Sequence, residues 1–327
     1  MTSWLTSAAP TPTGRVAAAL AAARCWTVAT LRWRRLPSTW SARQLNLAKT
    51  LLAFLLQLPL ILLVPWPPAP AGALLLLALS GVVGIAWGDS LFFSALRRLG
   101  TRRSLTLTAG APALTALGGL VALGEHPGAS QWLGIGLISL SVGLVARQRP
   151  PDQPGGAGAP TGWPWMGLAL ALAAMACGSA GALLSRLALR SGEVPAVLAA
   201  TVRLGAATLA LTPVWWELGG WARLRSLVAR PFRLGPLPRG GWLTGRWSTL
   251  LVATLLGTSL GISLQQLALT GLPGGLAVAL LSTSPVMALP LARLEGDRPG
   301  VVGLLAALAA VAGVSLVAGW SLPLAGN

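Results

Sequence analysis

One carboxylate, Asp89, lies well inside an apolar run of this 327-residue chain. At about 1.5 Å of rise per residue it sits roughly 10 Å below the end of its helix near Leu96. An unpaired aspartate at mid-bilayer costs about 2.5–3.5 kcal/mol on insertion scales, so it has to face a cavity or a partner. It can bind substrate, couple protons or make a structural polar contact. Lys49, the only lysine, enters near the start of another apolar segment, at the same membrane side and a similar depth. The two can pair, or Lys49 can snorkel to the interface. Arg203 holds the corresponding place in the second half of the chain, where Ile262 stands in the position of Asp89 and Gln265 and Gln266 lie nearby. An arginine without a carboxylate can hold an anionic group through its planar fork of donors. Bonding to backbone carbonyls and snorkelling are its other options.

Other reactive residue types form no constellation. His126 is the single histidine, and Cys25 and Cys177 lie in apolar stretches without metal or disulfide spacing. No cofactor and no metal are expected. Pro112 and Pro285 sit inside apolar segments and are expected to kink their helices around a cavity. Glu125 and Asp297, each in an acid-x-Pro-Gly turn, read as helix-end features. No glycine-rich stretch has phosphate-loop spacing, so ATP hydrolysis by this chain is not expected.

The elements that must carry these residues are membrane helices. The chain is 54% apolar and 9% charged, with a mean hydropathy of +0.71, whereas soluble domains are about a quarter charged. Nine segments suit a bilayer span: 45–64, 71–96, 104–123, 131–146, 165–189, 196–218, 249–270, 274–292 and 301–320. The stretch 131–146 has to extend at its ends, and Val16 to Trp33, interrupted by Arg24, is a weaker tenth. Residues 1–12 are polar, and no cleaved signal peptide is expected. Tryptophans at 66, 132, 163, 165, 215, 216, 247 and 320 mark segment ends, as indoles favour the headgroup level. The net charge of +17 comes from arginines between apolar runs, which suits membrane topology better than phosphate binding, so nucleic acid is not an expected partner.

The two halves resemble each other. Lys49 and Pro59 share their spacing with Arg203 and Pro213, Cys25 and Arg34 with Cys177 and Arg186, and Gly88 and Pro112 with Gly261 and Pro285. Glu125-His-Pro-Gly128 matches Asp297-Arg-Pro-Gly300. The common order of these matches predicts an all-α integral membrane protein of about ten helices in two inverted five-helix repeats. The divisions are 14–146, a Pro/Gly-rich linker over 147–162, and 163–321 with a basic loop at 219–248.

The stretch GIAWGDSLFFSALRRLG and its continuation through residue 144 resemble the first repeat of EamA-type proteins of the drug/metabolite transporter superfamily. GTSLGISLQQLALTGLPGGLAVALLSTSPVMALPLARLEGDRPG resembles the matching part of the second repeat. The resemblance covers roughly 45–320 and implies ten helices, a central cavity and export or exchange of small metabolites. Arg24 and Arg32 depart from the apolar first helix usual in such proteins. The expected function is a secondary transporter, or permease, moving a small polar metabolite by alternating access. The alternatives are a polytopic enzyme acting on lipid-linked substrates and a non-transporting scaffold. Expected partners are a small-molecule solute and the lipid bilayer, with a homodimer left open, and the expected location is the prokaryotic cytoplasmic (inner) membrane.

Five basic connections (34–43, 97–103, 147–149, 219–246 and 293–298) share one membrane side in a ten-helix chain, and the positive-inside rule makes that side cytoplasmic. The family resemblance implies the reverse, with both termini cytoplasmic. With the basic loops inside, a cysteine placed at Ser226 should resist an impermeant thiol reagent in intact cells. Rapid labelling there would favour the reverse topology.

Overall fold

The computed structural model describes residues 11–33, 41–63, 66, 68–147, 165–214, 246–294 and 300–319. Among them every regular element is helical. The first half comprises α1 (Pro12–Trp33), α2 (Ala42–Leu63), α3 (Ala71–Ser80), a π-helical stretch (Gly81–Asp89), α4 (Ser90–Thr108), α5 (Ala111–Leu123) and α6 (Ala129–Arg147). The second comprises α7 (Trp165–Leu189), α8 (Ala196–Leu211), α9 (Arg246–Thr254), a second π-helical stretch (Leu255–Leu260), α10 (Gly261–Leu269), α11 (Gly274–Leu281), α12 (Ser284–Leu294) and α13 (Val301–Ala318). These elements make ten membrane segments. The third runs from α3 through the π stretch into α4, and the eighth is α9, its π stretch and α10. Four runs are long and apolar enough to cross a bilayer by length and composition: Ala71–Leu99, Trp165–Leu189, Thr249–Leu269 and Val301–Ala318. The linker core, most of the 219–248 loop and Asp297 lie outside the described residues.

The doubtful first segment is a helix, and its packing explains why a sequence of modest hydropathy folds there. α1 lies against α10 and the second π stretch. Trp26 Nε1 donates to the Gly257 carbonyl at 2.7 Å, and Thr27 Oγ1 donates to the Ser284 carbonyl at 2.9 Å. Arg24 is on the exposed side. The short segment 131–146 extends at both ends to Ala129 and Arg147.

The two prolines expected to kink helices instead stand at helix starts. The chain breaks at Ala109-Gly110 before α5 and at Ser282-Thr283 before α12, so Pro112 and Pro285 each occupy the first turn that follows. A first-turn proline loses no helical hydrogen bond, because its missing N–H would be unpaired there anyway. The segment axis is interrupted, at the same place in each half, rather than bent by an interior proline.

The halves are built into each other. α7, the first helix of the second half, packs along α3, the π stretch and α4, while α1 packs along α9, the π stretch and α10. α2 meets α8, α5 meets α11, and α6 meets α13. Each described helix therefore finds its main partner in the other half. Association in lipid depends on close van der Waals approach, which favours small residues. At the α6–α13 crossing, a Cβ on Gly134 would come within 2.8 Å of the Gly313 carbonyl oxygen, and one on Gly313 within 2.8 Å of the Gly134 oxygen. Gly81 is pressed against the backbone of Arg203 on α8.

Gly81→Ala should therefore force the two backbones apart and lower the thermal midpoint of the detergent-solubilised protein, at a cost of about 1–3 kcal/mol. Gly178→Ala, where a Cβ would meet nothing within 4 Å, should leave the midpoint unchanged or slightly raised. Equal melting of both variants and the parent would disprove the close-approach reading.

Candidate functional site

The third segment of each half is where the helix loosens. In a π-helix the hydrogen bond reaches one residue further than in an α-helix, and such stretches leave local backbone groups in need of partners. In the first half Asn46, buried on α2, supplies them: its Nδ2 donates to the Ile85 carbonyl at 2.9 Å, the Ala86 carbonyl at 3.2 Å and Ser90 Oγ at 3.0 Å. In the second half Gln57 Nε2 donates to the Ser259 carbonyl and to Ser263 Oγ, each at 2.9 Å. Thr201 Oγ1 of α8 donates to Gln57 Oε1 at 2.8 Å. These polar bridges hold α2 to both loosened segments and tie it to α8.

Asp89 closes the first π stretch, and Lys49 lies one turn beyond Asn46 on α2. The structure joins them in an ion pair. The Lys49 ammonium also lies over the Phe93 ring, 5.3 Å from its centroid, an arrangement that the ring quadrupole favours. The Lys49 side chain is 12% exposed and that of Asp89 36%, so the pair sits at the edge of the packed interior.

Arg203 is placed differently. It is buried on α8, and its guanidinium lies against Gly84 of the π stretch, where a Cβ would be 3.4 Å from Nη2. Its one described side-chain bond is a long donation from Nη1 to Gln265 Oε1 at 3.4 Å. Its Nε has no hydrogen-bond partner among the described residues. Lys49 and Asp89 are thus brought together, and so are Arg203 and Gln265. Gln266 takes no part in either group: about 100° further around α10, it is fully buried with neither amide atom bonded among the described residues.

Sequence reasoning missed Asn46 and Gln57. A signal existed, since each is an uncharged amide within an apolar helix. Nothing in the local pattern, however, announced the π stretches they serve. Cys177 behaves as a packing residue: its Cβ would lie 3.5 Å from a Cβ on Gly88.

Ten helical segments in two mutually packed inverted halves, with charged side chains at their contact, define a multi-pass membrane protein built from a structural repeat. The chain belongs to the EamA-like transporter family, which matches residues 14–147 and 165–319, and thus to the membrane transporters of the drug/metabolite superfamily. A protein of known crystal structure is similar to it at 16% identity, over 93% of this chain and 96% of its own, with a TM-score of 0.67. At that identity the likeness concerns the fold alone. No curated protein matches the chain.

Neutralising one member of the Lys49–Asp89 pair should destabilise the protein more than neutralising both. In a thermodynamic cycle of Lys49→Gln, Asp89→Asn and the double variant, followed by thermal unfolding, a coupling of about 0.5–3 kcal/mol is expected. Strict additivity would mean that the two charges do not sense each other.

Proposed function

We propose that this protein is a secondary transporter that moves a small anionic or zwitterionic metabolite by alternating access between its two halves, with Arg203 as the substrate's charged contact. One contrast carries the reading. At equivalent positions in the repeats, Lys49 has a carboxylate partner, whereas the one side-chain bond of Arg203 among the described residues is to a distant amide. A buried guanidinium retains five donors that cannot be switched off, because it does not deprotonate in proteins. Placed between the halves beside a glycine, it suits a carboxylate or phosphate from solution, which would supply two parallel charge-assisted bonds. Gln265 then acts as the group that orients the fork.

A carrier needs its substrate contact where both halves reach it, and α8, α10 and the first π stretch all border Arg203. Asp89, the neighbouring acid, is assigned to coupling or to holding Lys49. The family is one of transporters, and the reading here is accordingly transport rather than catalysis on lipid-linked substrates.

The test is a metabolite panel assayed for uptake and efflux in proteoliposomes, with and without a pH gradient. Arg203→Gln should raise the KM for the transported solute by about tenfold or more, the loss expected of a charge-assisted contact of 1.5–3 kcal/mol, with insertion and expression intact. Arg203→Lys should recover only part of that loss, because it keeps the charge but not the bidentate fork. Wild-type transport by Arg203→Gln would sink the assignment.

A further inference from the structure

Of the two ion pairs described here, Lys49–Asp89 lies within the first half, whereas Glu125–Arg186 joins the halves. Its geometry begins with a glycine. Gly124 ends α5 in the left-handed region at φ 62°, where a side chain is poorly tolerated. The reversal brings the Glu125 N–H onto the Gly119 carbonyl at 3.1 Å, a bond of the type that closes helix C-termini. It turns the Glu125 side chain back along α5 and across to the second half. Gly119 leaves the room: a Cβ there would be 2.8 Å from Glu125 Oε2.

Both carboxylate oxygens are used by the second half. Arg186 Nε of α7 donates to Oε1 at 2.8 Å, and the Gly274 N–H at the start of α11 donates to Oε2 at 2.7 Å. Arg186 Nη1 also donates to the Leu269 and Thr270 carbonyls at the end of α10, at 3.0 and 3.2 Å. One turn on, Arg190 Nη1 donates to the Leu123 carbonyl at 3.1 Å. The ends of α5, α7 and α10 and the start of α11 are thereby drawn together on one membrane face. The side chains of Glu125 and Arg186 are 8% and 13% exposed. On the opposite face a pocket of about 290 Å³ lies within the first half, between the start of α2 and α4, lined by Ser41, Ala42, Arg43, Ser94, Arg97 and Arg98. The Glu125 end of the contact between halves is closed by these bonds.

We propose that the Glu125–Arg186 pair is the gate that closes the contact between the halves on the face opposite the basic connections, and that it must part for that face to open. The inference rests on the carrier reading above. A brace that never opens would fit the same bonds, so the test follows accessibility behind the pair. Ser179 lies two turns inside Arg186 on the same side of α7, buried, and accepts a hydrogen bond from Thr115 Oγ1 at 2.9 Å. Its place makes it a reporter. The sequence counterparts of the pair in the other repeat, Arg34 and Asp297, lie outside the described residues.

In a Cys25→Ser/Cys177→Ser background, a Ser179→Cys reporter is exposed in proteoliposomes to an impermeant thiol reagent from each side. A separate Ser191→Cys protein identifies the Glu125 face. From that face Glu125→Gln should label the reporter about tenfold faster than the parent, the change given by a loss of 1.4 kcal/mol from the closed state. The charge swap Glu125→Arg/Arg186→Glu should return labelling towards the parent rate. Unchanged labelling in a Glu125→Gln protein that melts like the parent would overturn the gate. Should Glu125→Gln fail to fold, a Glu125→Cys/Arg186→Cys protein bridged by a bifunctional thiol reagent decides: transport stops if the pair is a gate and continues if it is a brace. Labelling requires no substrate. A chain that carries no solute in any panel would therefore fail the carrier reading separately from the gate.

Discussion

A backbone carbonyl released from the helical ladder inside a bilayer has no water to turn to. That constraint governs the centre of this protein, because both third segments loosen into π-helix at matching positions, Gly81–Asp89 and Leu255–Leu260. The cure is the same in kind and different in detail. Asn46 serves Ile85 and Ala86, while Trp26 serves Gly257 and Gln57 serves Ser259. Each of these donors comes from another segment, so the loosened helices are satisfied by their neighbours. A polar side chain on α1 or α2 is here a condition for the fold of the third segments. It also fixes where charged residues at the edges of the π stretches must stand.

The same logic explains the cross-packing of the halves. Hydrocarbon supplies no hydrophobic drive for helix association, since lipid tails are as apolar as leucine. Close contact and hydrogen bonds remain, and both recur in pairs across the repeat. Thr27 of α1 bonds to Ser284 of α12, and its sequence counterpart Ser179 of α7 bonds to Thr115 of α5. Ser80 Oγ donates to the Gly181 carbonyl at 2.6 Å and shares a hydrogen bond with Ser185 Oγ at 2.8 Å. These contacts are short-ranged and geometrically demanding, which is why glycines and hydroxyls recur among the leucines and isoleucines at the contact between halves.

Much of this was legible in the sequence, and what was not has physical causes. Nine segments, a weaker tenth and their correspondence across the repeat followed from hydropathy and from matched spacings such as Gly88/Pro112 and Gly261/Pro285, because bilayer thickness sets length and repeats preserve spacing. The π stretches were not legible, because an apolar run reads the same whether each turn holds 3.6 residues or more. The prolines were placed in the right segments but given the wrong act, since a two-residue break ahead of Pro112 leaves no hydropathy signature. α1 looked weak because Arg24 was counted against it. Yet a helix packed on one side can leave an arginine on the other, and Trp26 and Thr27 carry the attachment. Glu125 read as a turn residue; only the fold brings Arg186, 61 residues away, onto it.

Symmetry and its failure then divide the charges by role. Inverted halves make the two faces of the contact equivalent in backbone, so any difference between them is written in side chains. Lys49 and Arg203 share a repeat position, but Asp89 is matched by Ile262, and the neutralisation present in the first half has no copy in the second. Trp26 stands where the second half has Gly178, so an indole fills one side while the equivalent place is open. A protein that needed two identical halves would have no reason to keep such differences inside its membrane segments, where an unmatched charge costs solvation. The asymmetry concentrates at the loosened segments, beside a guanidinium with bonding capacity to spare. Near-symmetric packing makes the two halves alike in backbone, and the unmatched charges are what the carrier reading proposed above has to work with.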